Sequence, residues 1–304
     1  MNIQAWQMVV IFCAAYIAGV MNALAGGGTI LTFPALIWIG LDPVVANITS
    51  TIALLPGALS SFFGYRKEVS GSRKWIKLFL LPSFIGGLLG ALLLLLTPAN
   101  FFAAIVPFLI LFATVLFALQ EPITRKLRGS SGAAKNLAVT ATSVNTVDTL
   151  NHHATLLQSQ INAEQVLEPQ SNADIGKTLQ IYNVSKKWLI GVVLMQFLVA
   201  IYGGYFGAGV GILMLATLGL LGLTDIHQMN GLKNLLGFSI NSIAAASFIV
   251  SGNVKWSAAI IMAIAAIIGG YSGAHLARRL GRTFARRAVI IIGLIMTISL
   301  FFNH

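Results

Sequence analysis

The chain has 304 residues, of which 57% are hydrophobic and only 9% charged, with a mean hydropathy of +0.86. Soluble domains carry about 25% charged residues, so the composition excludes a soluble globular protein and indicates an integral membrane protein. The formal charge of +11 does not mark a nucleic-acid binder, because the basic residues cluster at the ends of apolar runs, where they record membrane orientation.

Apolar runs bounded by glycine, proline and charges predict five segments in each half. The first five cover about 6–25, 29–41, 44–65, 75–96 and 101–119. No Lys or Arg precedes Arg66, so the first run lacks the basic region of a signal peptide and is expected to be retained. The single cysteine, Cys13, lies within that run and argues against a disulfide framework or a zinc site. After about residue 120 comes a polar stretch rich in Ser, Thr, Asn, Gln and Ala, and a second set of runs follows at about 188–206, 210–223, 228–250, 256–277 and 286–302. The domain boundaries expected are therefore 1–119 for a first membrane repeat, 120–187 for a cytoplasmic linker and 188–304 for a second repeat.

The first run ends in Asn22-Ala23-Leu24-Ala25-Gly26-Gly27-Gly28-Thr29. Each glycine costs about 1 kcal/mol against alanine in a helix interior, so a regular helix should break here. In lipid, a broken backbone is tolerated only where it is buried in protein or lines a cavity. A second break follows the sixth run, at Gly203-Gly204-Tyr205-Phe206-Gly207-Ala208-Gly209-Val210-Gly211. The runs after the two breaks are short, about 20 Å at 1.5 Å per residue, against a hydrocarbon core about 30 Å thick. They are expected to start inside the membrane or to be re-entrant.

The two halves are an internal repeat. Gly86-Gly87 and Gly90-Ala91 recur as Gly269-Gly270 and Gly273-Ala274, at an offset of 183; Ile30-Leu31 recur as Ile212-Leu213 at 182, and Trp75 as Trp256 at 181. In the first half the charges Arg66, Lys67, Arg73, Lys74 and Lys77 lie between the third and fourth segments, and Thr97-Pro98-Ala99-Asn100 after the fourth is uncharged. The second half has only Lys255 in the earlier connection, with Arg278, Arg279, Arg282, Arg286 and Arg287 in the later one. Positive loops face the cytoplasm, so equivalent loops face opposite sides. The expected fold is an all-α integral membrane protein of two inverted-topology repeats, each of about five hydrophobic segments, with broken or short helical hairpins at the centre. Arg125, Lys126 and Arg128, then Lys186 and Lys187, put both ends of the linker inside and both termini outside.

The linker is longer than most connections within a compact domain; a loosely structured tether and a regulatory or partner-binding region both fit its composition. His152-His153 has no cysteine or matched spacing beside it and is not read as a metal site.

The chemistry is expected at the two breaks. Thr29 would open one short helix and Gly211 or Ile212 the other, placing two helix N-termini, which favour anions, near the bilayer midplane. Glycine lets a backbone approach a ligand closely, and the competing use is close helix packing. Gly86/Gly90 and Gly269/Gly273 are assigned to packing; Gly26, Gly27, Gly28, Gly207, Gly209 and Gly211, with Asn22 and Thr29, are assigned to a site. Asp42 and Asp225 are helix caps, Asp42 with Pro43 at the first helical position. Asn47-Ile48-Thr49-Ser50-Thr51 aligns with Asn230-Gly231-Leu232-Lys233-Asn234. Asn47 and Asn230 suit hydrogen bonds between helices, whereas Thr49, Ser50, Thr51 and Asn234 are candidate donors to an oxyanion. Lys233 lies about 9 Å into its helix; snorkelling to the surface and a functional role within the membrane both remain open. The eight acidic residues all lie at ends, loops or the linker, which disfavours a cationic substrate. No Gly-x-Ser-x-Gly, His-Glu-x-x-His or Walker A motif occurs, and Gly207-Ala208-Gly209-Val210-Gly211 lacks the strand and acid of a dinucleotide loop, so no enzyme, cofactor or metal is expected.

Ala25-Gly26-Gly27-Gly28-Thr29-Ile30-Leu31-Thr32-Phe33-Pro34, Gly40-Leu41-Asp42-Pro43 and Ala46-Asn47-Ile48-Thr49-Ser50 resemble the TauE/SafE family of sulfite exporters. A second copy of the pattern runs from Gly207 through Lys233 and closes with Gly252-Asn253-Val254-Lys255-Trp256. The chain departs from the pattern in its long linker and in Ala216 where the first copy has Pro34. The resemblance implies an inner-membrane transporter for sulfur-containing oxyanions such as sulfite or organosulfonates. The function expected is a secondary transporter of such an anion; a carrier of another small solute, or a scaffold acting through the linker, are the alternatives. The expected partners are a small anionic substrate and the lipid bilayer, with a homodimer allowed, no nucleic acid, and no partner identified for the linker.

Overall fold

The computed structural model describes residues 4–24, 27–64, 72–116, 118–119, 186–221, 223, 226–280, 290–291, 293–295 and 297–298. These residues are almost wholly helical, with no strand among them, and they belong to one compact unit. In chain order the helices are α1 (Ala5–Leu24), α2 (Thr29–Trp38), α3 (Pro43–Gly64), α4 (Arg73–Leu96) and α5 (Ala99–Leu116). After the linker come α6 (Lys186–Tyr205), α7 (Val210–Leu220), α8 (Ile226–Val250) and α9 (Trp256–Leu280). The tenth predicted run, 286–302, is helical wherever it is described. Among the described residues five helices are long and apolar enough to cross a membrane: α1, α4, α5, α6 and α8. The chain is thus a multi-pass membrane protein, with large apolar side chains such as Leu81, Leu96, Ile190 and Tyr271 exposed on its outside as lipid requires.

Local chemistry sets the helix ends. The run expected to reach residue 41 stops at Trp38, because Gly40 turns left-handed at φ 90°. Leu41 N–H then bonds Leu36 O at 3.1 Å and Gly40 N–H bonds Ile37 O at 2.8 Å, the paired closure of a Schellman motif. Asp42 caps α3 as expected, its Oδ1 accepting from Val44 N–H at 2.9 Å. The short helix of the second half starts at Val210, one residue before the expected Gly211. Gly26, Asp225 and the linker with His152 and His153 lie outside the described residues.

Helix pairing follows the repeat. α1 packs on α9 as α4 packs on α6; α3 packs on α9 as α4 packs on α8; and α3 packs on α8. Exchanging α1–α4 for α6–α9 maps this set of pairings onto itself. The two closest crossings depend on glycine. A Cβ on Gly204 would sit 2.2 Å from the Gly87 carbonyl oxygen, and one on Gly269 would sit 2.0 Å from that of Tyr16. Gly86 and Gly90 abut α6 in the same seam, so the packing role expected of them holds.

Candidate functional site

Each short helix folds back along the helix before it. At the mouth of the first hairpin Trp6 and Trp38 meet edge to face with ring centroids 6.0 Å apart. At the mouth of the second, Trp188 Nε1 donates to Leu220 O at 3.2 Å. Trp188 and Leu220 are the positions of Trp6 and Trp38 displaced by the repeat offset of 182. The first hairpin brings Gly28 against the Ala18 carbonyl, well short of the end of α1, so α2 starts deep within the protein.

The hairpin turns are built alike. Gly27 (φ 93°) and Gly209 (φ 75°), equivalent at the same offset, take the left-handed conformation that L side chains avoid. Behind them Ile30 N–H bonds Gly27 O and Ile212 N–H bonds Gly209 O, both at 3.0 Å. The helix starts are therefore less open than a bare N-terminus, because Ile30, Leu31, Val210 and Ile212 are already paired. Between them, neither Thr29 N–H nor Gly211 N–H finds an acceptor among the described residues, and neither helix has a side-chain cap. Asn22 secures the first turn, its Oδ1 accepting from Gly28 N–H at 2.8 Å. Phe206 secures the second, meeting Phe33 of α2 at 5.3 Å and Phe102 of α5 at 6.4 Å between ring centroids.

Both turns face one cavity. Its described lining comprises Asn22, Gly27 and Thr29 from the first hairpin and Phe206, Gly207, Val210, Gly211 and Met214 from the second. α3 supplies Thr51, Leu54 and Ala58; α8 supplies Lys233, Asn234, Gly237, Phe238 and Asn241. Lys233 is only 5% exposed, so it stays within the protein and does not snorkel to the surface. No cluster of three His, Cys, Asp or Glu side chains occurs among the described residues.

Of the residues singled out in the sequence, Asn22, Gly27, Thr29, Thr51, Gly207, Gly211, Lys233 and Asn234 come together at the cavity. Gly28, Gly209, Thr49 and Ser50 do not line it. Gly28 and Gly209 shape the turns. Ser50 Oγ pairs with Thr32 Oγ1 of α2 at 2.6 Å, both fully buried. Thr49 Oγ1 accepts from Lys255 N–H at 3.2 Å, at the corner before α9. Asn47, assigned to helix pairing, donates from Nδ2 to Tyr205 O at 2.8 Å and so holds the end of α6. Asn241 was missed. It lies seven residues beyond Asn234 on the same face of α8, with Gly237 and Phe238 between them, a spacing visible in the sequence.

Comparison with known proteins adds a family. A profile described as Sulfite exporter TauE/SafE matches residues 11–300. The chain belongs to the TauE/SafE family. A relative in Haemophilus influenzae (strain Rd), named a probable membrane transporter protein, is 26% identical over 98% of this chain and 95% of its own length. The probable membrane transporter protein YfcA of Escherichia coli K12 is 24% identical over 97% of this chain and 89% of its own. YunE of Bacillus subtilis (strain 168), named likewise, is 24% identical over 94% and 93%. No solved structure matches. The matched region covers both halves and includes both hairpin turns and every described residue that lines the cavity.

Proposed function

We propose that the chain is a secondary transporter that moves a small sulfur-containing anion, sulfite or an organosulfonate, across a bacterial inner membrane by alternating access. The observation that carries this reading is the convergence of two glycine-turned hairpins, one from each half, on a single cavity that also holds Lys233. Thr29 and Gly211 bring N–H groups to it, the partial positive charge of two helix starts favours an anion, and Asn22, Asn234 and Asn241 add amides to orient an oxyanion, while the Thr51 hydroxyl donates to Asn47 O at 2.9 Å. No carboxylate is present in the described lining to repel one.

The inverted arrangement of the repeats is part of the same proposal. The start of α8 meets the start of α4 through Gln228 Nε2 and Ser72 Oγ at 2.7 Å. The corners after α4 and α8 lie instead by the first turns of α3, through Tyr205 with Thr97 and Asn47 and through Thr49 with Lys255. These contacts support hairpins that enter from opposite ends. Helices of 10 and 11 residues reach about 15 and 16 Å, which together span a core about 30 Å thick and bring the two starts level near its middle. The basic loops then leave both termini outside and the linker in the cytoplasm.

Two measurements test the proposal. Purified protein in proteoliposomes should give saturable sulfite flux that a short sulfonate inhibits and chloride does not; no saturable flux of either anion would overturn the substrate assignment. For topology, Asn100→Cys and Asn253→Cys in a Cys13→Ser background should both label with an impermeant thiol reagent from outside. Labelling on opposite sides would end the inverted arrangement.

A further inference from the structure

α3 and α8 line the cavity at equivalent positions. Thr51, Leu54 and Ala58 correspond to Asn234, Gly237 and Asn241 at an offset of 183, the offset at which Asn47 aligns with Asn230. The two walls differ in what they carry: where α3 has Leu54, α8 has no side chain at all. Asn234 and Asn241 lie three residues before Gly237 and four after it, so the two amides share its face of the helix and flank the gap.

Gly237 has neither of the uses that glycine has elsewhere in this fold. Its φ is not left-handed, unlike that of Gly27 or Gly209. No helix crosses against it: an added Cβ meets nothing within 4 Å among the described residues, whereas one on Gly204 meets the Gly87 carbonyl. Gly191 has open space too, but on an exposed face of α6 and not in the cavity. Glycine weakens a helix interior relative to alanine, and at Gly237 neither a turn nor a crossing offsets that. What remains is the open space itself, which belongs to the cavity. We infer that Gly237 is a specificity-determining position: its missing side chain leaves a seat in which the anion lies against the α8 backbone between Asn234 and Asn241, and the depth of that seat sets the size of anion accepted. A ligand approaches a backbone this closely only where no Cβ intervenes. The inference rests on the anion-site reading above and adds to it the wall on which the anion lies.

The test is a side-chain series at Gly237. Full-length wild-type protein, Gly237→Ala and Gly237→Leu are assayed in proteoliposomes for flux of sulfite and of ethanesulfonate, with thermal midpoints measured in detergent. Gly237→Ala should raise KM for ethanesulfonate by about fivefold or more, raise that for the smaller sulfite by less, and leave the thermal midpoint at or above that of the wild type. Gly237→Leu should fill the seat and abolish flux of both anions without lowering the midpoint. A ratio of the two KM values that Gly237→Ala leaves unchanged, or flux lost in step with a lowered midpoint, overturns the seat. A wild-type protein that carries both anions while Gly237→Leu carries them equally well removes the seat alone; a wild-type protein that carries neither removes the anion site and the seat together.

Discussion

Lys233→Ala should lower anion flux by about ten- to 150-fold in kcat/KM, the range expected when a hydrogen bond to a charged group worth about 1.5–3 kcal/mol is lost. Lys233 is 95% buried and borders the cavity. A cation is costly to hold within a membrane, and binding an anion offsets that cost. Lys233→Arg keeps the charge and should lose less, its larger planar head fitting the space less well. Size-exclusion profiles and thermal midpoints in detergent distinguish lost flux from lost fold. Undiminished flux in both variants would remove Lys233 from the anion's path.

The largest effect on stability is expected at Gly204. A side chain there meets the Gly87 carbonyl of the neighbouring helix at 2.2 Å, and because the obstacle is backbone, α4 and α6 must separate. Overpacking of this kind costs about 1–3 kcal/mol and occasionally more, and helix contact in lipid depends on close approach. Gly204→Leu should therefore lower the thermal midpoint by several degrees or prevent accumulation of folded protein. Gly191, on the same helix, provides the control: an added Cβ there has nothing within 4 Å. Gly191→Leu should be neutral or stabilising by up to about 1 kcal/mol through helix propensity. Equal losses in the two variants would show that the seam is not the cause.

The breaks were legible because glycine runs inside apolar sequence have few structural uses, and the repeat doubled the signal. Lys233 was legible as a lone charge in a helix. Harder to read was which way each polar side chain points. Thr49, Ser50 and Thr51 are successive residues, about 100° apart around α3, so they cannot share a face. Only Thr51 turns to the cavity, while its neighbours bond α2 and the corner before α9. Which of three adjacent polar residues faces a site depends on where the other helices lie, and that information is tertiary. Asn241 escaped for the opposite reason: it stands alone in apolar sequence, and only its register with Asn234 reveals it. The end of α2 depended on the conformation of Gly40, which its apolar neighbours do not announce.

The first turns of α3 hold a consequence for movement. Within four residues, Asn47 grips the end of α6, Thr49 the corner before α9, and Ser50 the body of α2. Three pieces of the chain that are remote in sequence are pinned to a segment about 5 Å long. Hydrogen bonds this short do not stretch by an ångström and survive, so any tilt that carries the second hairpin past the first must leave these anchorages intact or break them together. In the proposed alternating-access movement this segment is the expected fulcrum, because three elements remote in sequence meet on it.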